Sequence, residues 1–343
     1  MSNSLSIRMQ KLLQFDIDEG ELLNKLNEIV VDEKLKQKYF NESESLEDLF
    51  IQHKNRFLTS ERNPNLIKTG FKYIDKVIDG FMPGEYIVIG ARPGNCLDLF
   101  LLQLANNISN DFPVLYVSMN NNYLTLTTLV VSMLTKIKPD KLLQNKLSDI
   151  DIELLSSLEK RLSGNKLLLN KASGYSIPEL RVLCEQHVEE YATKVIIFDS
   201  LQLISPGFRT KNRRELEDNF INCELKRIAR DLDVCVIAGC KLRNSFENRI
   251  EFDGDIQALF ESGNVEQEAN TVFVLHRPER YGITKDESGN SLIRKILVLM
   301  LKSERGSQAQ FYLTFNENET AIVELDYDFP SEFYFENKDA SDV

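Results

Sequence analysis

From residue 66 onward the chain alternates short apolar, β-rich runs with helical stretches, and this alternation restricts the fold more than any other feature. The apolar runs fall at 86–90, 114–118, 167–169, 195–199, 234–239, 271–275, 295–301, 311–315 and 321–325. Helical spacing occupies 71–79, 97–109, 124–136, 176–191 and 214–231. Continuous apolar runs separated by helices imply a mostly parallel sheet covered on both faces, and the closely spaced last runs imply an antiparallel edge. Residues 138–165, rich in Lys, Leu, Asp and Ser, read as a surface helical insertion.

Residues 1–65 follow another pattern. Leu22, Leu23, Leu26, Ile29 and Val30 recur at helical spacing, as do Leu46, Leu49, Phe50, His53 and Phe57. Ser45 and Asp48 form an N-cap signature for the second of these helices. Arg62-Asn63-Pro64-Asn65 then breaks the periodicity. The expected organisation is a helical N-terminal or linker segment at 1–65, one large α/β domain at 66–326 and an acidic tail at 327–343.

Composition removes several function classes. With 53 acidic against 41 basic residues, the net charge of −12 argues against indiscriminate nucleic-acid binding and leaves a local basic lining open. No apolar run approaches the ~18–20 residues of a membrane span, and the N-terminus lacks a secretory pattern, so a cytoplasmic protein without membrane contact is expected. The 5 cysteines are odd in number and contain no C-x-x-C, which reads as reduced core residues and no metal site.

Residues 90–98 read Gly-Ala-Arg-Pro-Gly-Asn-Cys-Leu-Asp, between the strand-like Tyr86–Ile89 and the helical run from Leu99. This is the strand–loop–helix setting in which backbone N–H groups at a helix N-terminus cradle phosphates. The full motif needs Gly-Lys-[Ser/Thr] at 96–98, whereas this chain has Cys96, Leu97 and Asp98. The missing Lys would hold the β- and γ-phosphates, and the missing hydroxyl would hold Mg²⁺. Leu97 offers neither charge nor donor, and Asp98 sets an anion beside a polyanion.

The wider order of motifs is specific. Thr69-Gly70-Phe71, Ile74-Asp75 and Gly80-Phe81-Met82-Pro83-Gly84-Glu85 lead into the loop. Val195 to Ile204, Asn212-Arg213 with Glu215, Leu225 to Ala229, Val236-Ile237-Ala238 and Glu261 to Asn270 follow it. In this order and spacing, roughly residues 66–325 resemble the C-terminal motor domain of DnaB-type replicative helicases, a RecA-like family. The resemblance implies a RecA-like P-loop fold with a mostly parallel central sheet.

The resemblance also assigns positions. The family's catalytic Glu after the second strand corresponds to Asn120, and an amide cannot accept a proton at neutral pH. Asp199 stands where the Walker B aspartate belongs; it either holds a metal's water or simply caps the following turn. The family's γ-phosphate sensor Ser-Gln becomes Cys240-Lys241. Its Lys-x-Arg, which reaches a neighbouring subunit's site, becomes Lys302-Ser303-Glu304-Arg305, with Arg305 one residue out of register. Arg92, Pro93, Gly94, Asn95, Asp199, Lys241, Lys302 and Arg305 are thus expected remnants of a nucleotide site. No catalytic residue and no cofactor are expected.

Two loops that contact single-stranded DNA in the family correspond here to Arg209, Lys211, Arg213 and Arg214, and to Lys241, Arg243 and Arg249. Lys and Arg in such loops hold phosphates without reading bases; solvated charged loops are the alternative. About 65 residues are too few for the family's N-terminal domain plus linker. The helix carrying Leu46, Leu49, Phe50 and Phe57 is either offered to a neighbour or folded back on its own domain. These readings together point to a pseudo-ATPase that binds or regulates around replication or repair, with single-stranded DNA, an intact replicative helicase or a second copy as partner. An active helicase using ATP and Mg²⁺ through Lys241 or Arg92, and a scaffold that never touches DNA, are the rival readings.

Overall fold

The computed structural model describes residues 45–58, 65–171, 174–208, 214–242, 265–286, 288–306 and 308–325. The chain divides into two compact units, Met1–Pro64 and Asn65–Val343.

In the first unit the described element is α1 (Leu46–Leu58). Ser45 Oγ accepts the Asp48 backbone N–H at 3.1 Å and donates to its carboxylate at 2.6 Å, which satisfies two groups at the helix start. Leu46 and Phe50 are exposed, and Leu49 is half-buried. The side chain of Phe57 and the run Leu22–Val30 lie outside the described residues.

The second unit is built on nine strands: β1 (Tyr86–Ala91), β2 (Val114–Ser118), β3 (Leu167–Lys171), β4 (Val195–Asp199), β5 (Cys235–Lys241), β6 (Thr271–His276), β7 (Lys295–Ser303), β8 (Ala309–Phe315) and β9 (Ile322–Glu324). Their order in the sheet is β3-β2-β4-β5-β1-β6-β7-β8-β9. Strands β1 to β6 pair in parallel, and β7, β8 and β9 add antiparallel hairpins at one edge. This is the mostly parallel sheet with an antiparallel edge that the alternation implies, and the RecA-like architecture that the resemblance implies.

Helices cover both faces: α2 (Lys72–Ile78), α3 (Leu97–Ile108), α4 (Tyr123–Thr135), α5 (Pro139–Leu143), α6 (Asp149–Leu162), α7 (Ile177–Tyr191), α8 (Arg214–Asp231) and the short α9 (Val265–Glu268). Because strand side chains alternate, β1 feeds two cores. Ile87, Ile89 and Ala91 join Ile74 of α2 and Phe100, Leu101 and Leu104 of α3. Tyr86 and Val88 join Leu180 of α7 and Leu225 and Ile228 of α8. Each large side chain so buried contributes about 1.5–3 kcal/mol. At Gly239 of β5 a Cβ would lie 2.5 Å from Leu101 Cδ1, so only glycine lets α3 settle this close to the sheet.

Several elements run past their apolar runs. β5 reaches Lys241 because Ala91 remains its pairing partner, and β7 reaches Ser303 opposite Thr271. Ladder pairing, indifferent to side-chain polarity, carries these strands beyond what hydrophobicity marks. The insertion forms α5 and α6, the latter opened by a Ser148–Asp151 capping box and anchored by buried Leu158.

Candidate functional site

β1 lies between β5 and β6, so the 92–96 loop leaves the middle of the sheet at the carboxyl ends of the parallel strands. Ligands of open α/β sheets collect at this end. Cys96 caps α3 with left-handed backbone, φ 58° and ψ 29°. A non-glycine residue in that region costs about 1–2 kcal/mol. Its thiol is pushed up to about 12, first by burial. Leu97, 7% exposed, turns into the core beside Gly239.

Asp98 and Asp199 form an acidic centre. Asp199 ends β4 nearly buried, and its carboxylate accepts the Tyr116 hydroxyl at 2.9 Å. Burial foremost, then the nearby Asp98 charge, pushes Asp199 up to about 6; the Tyr116 hydrogen bond and Lys241 work the other way. Next to it, Gln202 stitches β4 to β5: its amide donates to Cys240 Sγ (3.1 Å) and Lys241 O (3.0 Å) and accepts the Lys241 N–H at 3.1 Å. Asn120 follows β2 and is exposed. Among the described residues, no cluster of three or more His, Cys, Asp or Glu could hold a metal ion.

Lys302 and Arg305 lie elsewhere, because β7 runs antiparallel to β6 and ends beside the start of β1. Lys302 Nζ donates to Ala269 O at 2.6 Å. The Arg305 guanidinium grips Glu85 through Nε (2.6 Å) and Nη2 (2.9 Å). It also caps the end of α2 at Ile78 O (3.1 Å) and Gly80 O (2.6 Å). The structure therefore brings Arg92, Pro93, Gly94, Asn95, Asp199 and Lys241 to one end of the sheet and leaves Lys302 and Arg305 at the other.

The model of the DnaB-like helicase C terminal domain family matches residues 66–324. The chain belongs to this family. Over 262 residues it is 28% identical to the replicative DNA helicase DnaC of Bacillus subtilis (strain 168), covering 76% of this chain and 57% of that one. Replicative DNA helicase DnaB of Helicobacter pylori (strain ATCC 700392 / 26695) is 30% identical over 253 residues, covering 73% and 50%. The chain spans about half to two thirds of the length of the curated relatives it matches. Among solved structures, an ATPase domain superposes with a TM-score of 0.74 at 22% identity, covering 83% of this chain and 100% of that one. A structure of a DnaB-like replicative helicase and its interactions with primase gives 0.75 at 21% identity, covering 94% and 76%. At such identities these likenesses speak for the fold.

In this DnaB-like domain Arg209, Lys211, Arg213, Arg243 and Arg249 lie outside the described residues, as does the Arg214 side chain at the start of α8. Among the described residues no helix is long and apolar enough to cross a membrane. Tyr116, Gln202, His276 and Tyr281 also belong to the site's surroundings, and the sequence reading misses them. Tyr116 sits in an unbroken apolar run, and His276 and Tyr281 are distant in sequence from every loop they touch, so no local signal marks them.

Proposed function

We propose that this DnaB-like domain is a non-hydrolysing subunit that binds or regulates around DNA replication or repair. The observation that carries the reading is the start of α3. Leu97 points its side chain into the core where the motif calls for a phosphate-holding cation, and Asp98 puts a carboxylate, whose charge is felt at Asp199, where it calls for a Mg²⁺-holding hydroxyl. Two carboxylates with no phosphate-holding cation beside them disfavour a polyphosphate, so these residues fit ATP with Mg²⁺ poorly. Asn120 adds no base. Loss of one transition-state donor costs roughly 10²–10³ in rate, and several losses in one site leave little above background.

Calorimetric titration with ATP, with and without Mg²⁺, tests the reading. Binding should be weaker than ~1 mM, and hydrolysis should stay at background. Restoring Gly-Lys-Thr at 96–98 should not rescue turnover while Asn120 remains. Micromolar binding of ATP by the unaltered chain would overturn the proposal and favour a working motor. The proposed partners are single-stranded DNA, through the basic run from Arg209 to Arg214, and an intact helicase subunit or a second copy, through α1.

A further inference from the structure

The 92–96 loop is bonded to the segment that follows β6. After β6 the chain crosses back over the loop as residues 276–281, ending in a short 3₁₀ turn (Pro278–Tyr281). Asn95, 1% exposed, is the link. Its Oδ1 accepts the Arg277 backbone N–H at 2.7 Å. Its Nδ2 donates to the Tyr281 hydroxyl at 3.1 Å and to Arg92 O at 3.2 Å. One amide thus spends its acceptor and both donors on joining loop and crossing strap.

Stacking reinforces the link. The Arg92 guanidinium lies over the Tyr281 ring, 5.5 Å from its centroid, and His276 stacks on the same ring at 5.0 Å and 21°. Burial, then the Arg92 charge, holds the imidazole down to about 4, so the ring is neutral in this stack at physiological pH. The outer side of the strap is anchored as well. Arg277 pairs with Glu279, whose carboxylate accepts the Arg294 N–H at 2.7 Å, and its guanidinium sits 4.5 Å from the Phe315 centroid.

We infer that Asn95 and the 276–281 strap form an internal lock that holds the loop in its cradle shape without a nucleotide. The inference rests on the reading that this chain does not use ATP, and it adds how the site is regulated. The loop therefore keeps one conformation irrespective of nucleotide supply. Loop order that bound phosphates would otherwise impose comes from one side-chain amide and two rings.

Residue-resolved amide hydrogen exchange on the full chain tests the lock. In the unaltered protein the Arg277 amide should exchange slowly, and ATP with Mg²⁺ should leave it and residues 94–98 unchanged. Asn95→Ala should speed exchange at Arg277 on the order of tenfold or more while amides of β1 stay protected. Tyr281→Phe keeps the ring stack and the Asn95–Arg277 bond and loses the hydroxyl that Asn95 Nδ2 binds. It should therefore retain Arg277 protection and loosen the turn at 278–281, and it also serves if the alanine variant folds poorly. Fast Arg277 exchange in the unaltered chain, or exchange unchanged by Asn95→Ala, would overturn the lock. Calorimetric ATP binding with the apo loop already protected would instead overturn the nucleotide-free reading and leave the lock standing.

Discussion

At Asp199 protonation and folding are joined. Its folded-state pKa of about 6 lies above the ordinary carboxylate value of 3.8, so the folded chain holds the proton more tightly than the unfolded one. Stability from this group is complete below about pH 4 and declines as pH rises through about 6. Asp199→Asn removes the charge and keeps an oxygen for the Tyr116 hydroxyl. Near pH 8 that variant should be more stable by up to ~2–3 kcal/mol, and the difference should vanish near pH 4. Chemical denaturation across this range checks it; equal stability near pH 8 would mean Asp199 ionises without penalty. The residues at 96–98 were readable from sequence because they depart from a fixed motif, and Asn120 only through the resemblance. The effect of the Asp98 charge on Asp199 was not, since only the fold brings a helix start and a distant strand end to the same end of the sheet.

At the level of elements, the hairpin between β7 and β8 is held by Arg305. Its four hydrogen bonds reach Glu85 and two carbonyls at the end of α2, and the Glu85 carboxylate is mostly buried. Arg305→Ala leaves those carbonyls unpaired and the carboxylate without its counter-charge, holding only the Met82 N–H at 2.9 Å, and should cost about 2–3 kcal/mol, visible as a lower denaturation midpoint. Arg305→Lys should recover only part, because an ammonium cannot grip both carboxylate oxygens as a planar fork does. α1 makes a separate prediction. With Leu46 and Phe50 exposed and Leu49 half-buried, Leu49→Glu with Phe50→Glu should abolish concentration-dependent association and leave the α/β domain folded. Light scattering and circular dichroism distinguish the two effects. Strand and helix positions were largely legible, because apolar runs and capping residues are local. The attachment of Arg305 was hidden, for Glu85 is separated from it by most of the domain and nothing in the hairpin's own residues names the partner.

For the whole molecule, the net charge of −12 means that any hold on DNA must come from local clusters. Single-stranded DNA should bind weakly, without sequence preference, and with affinity falling steeply as salt rises. Reversing charge at Arg213 and Arg214 should weaken binding and flatten the log–log salt slope by roughly 0.7 for each phosphate no longer neutralised. Absence of binding at low salt would favour a scaffold that never meets DNA. The architecture was legible in the order of runs, since parallel strands need crossovers and the last three runs are too close for any. Arg305's grip on Glu85 also bears on descent. Placing an arginine at Glu304 would set two guanidiniums side by side on a turn already fastened, and loosening Arg305 weakens the domain. On the proposed non-hydrolysing reading, neither change gains a rate advantage until Leu97, Asp98 and Asn120 have changed too. On the same reading, each single step toward a working site is neutral or harmful at first, and the arrangement resists reversal as a ratchet does.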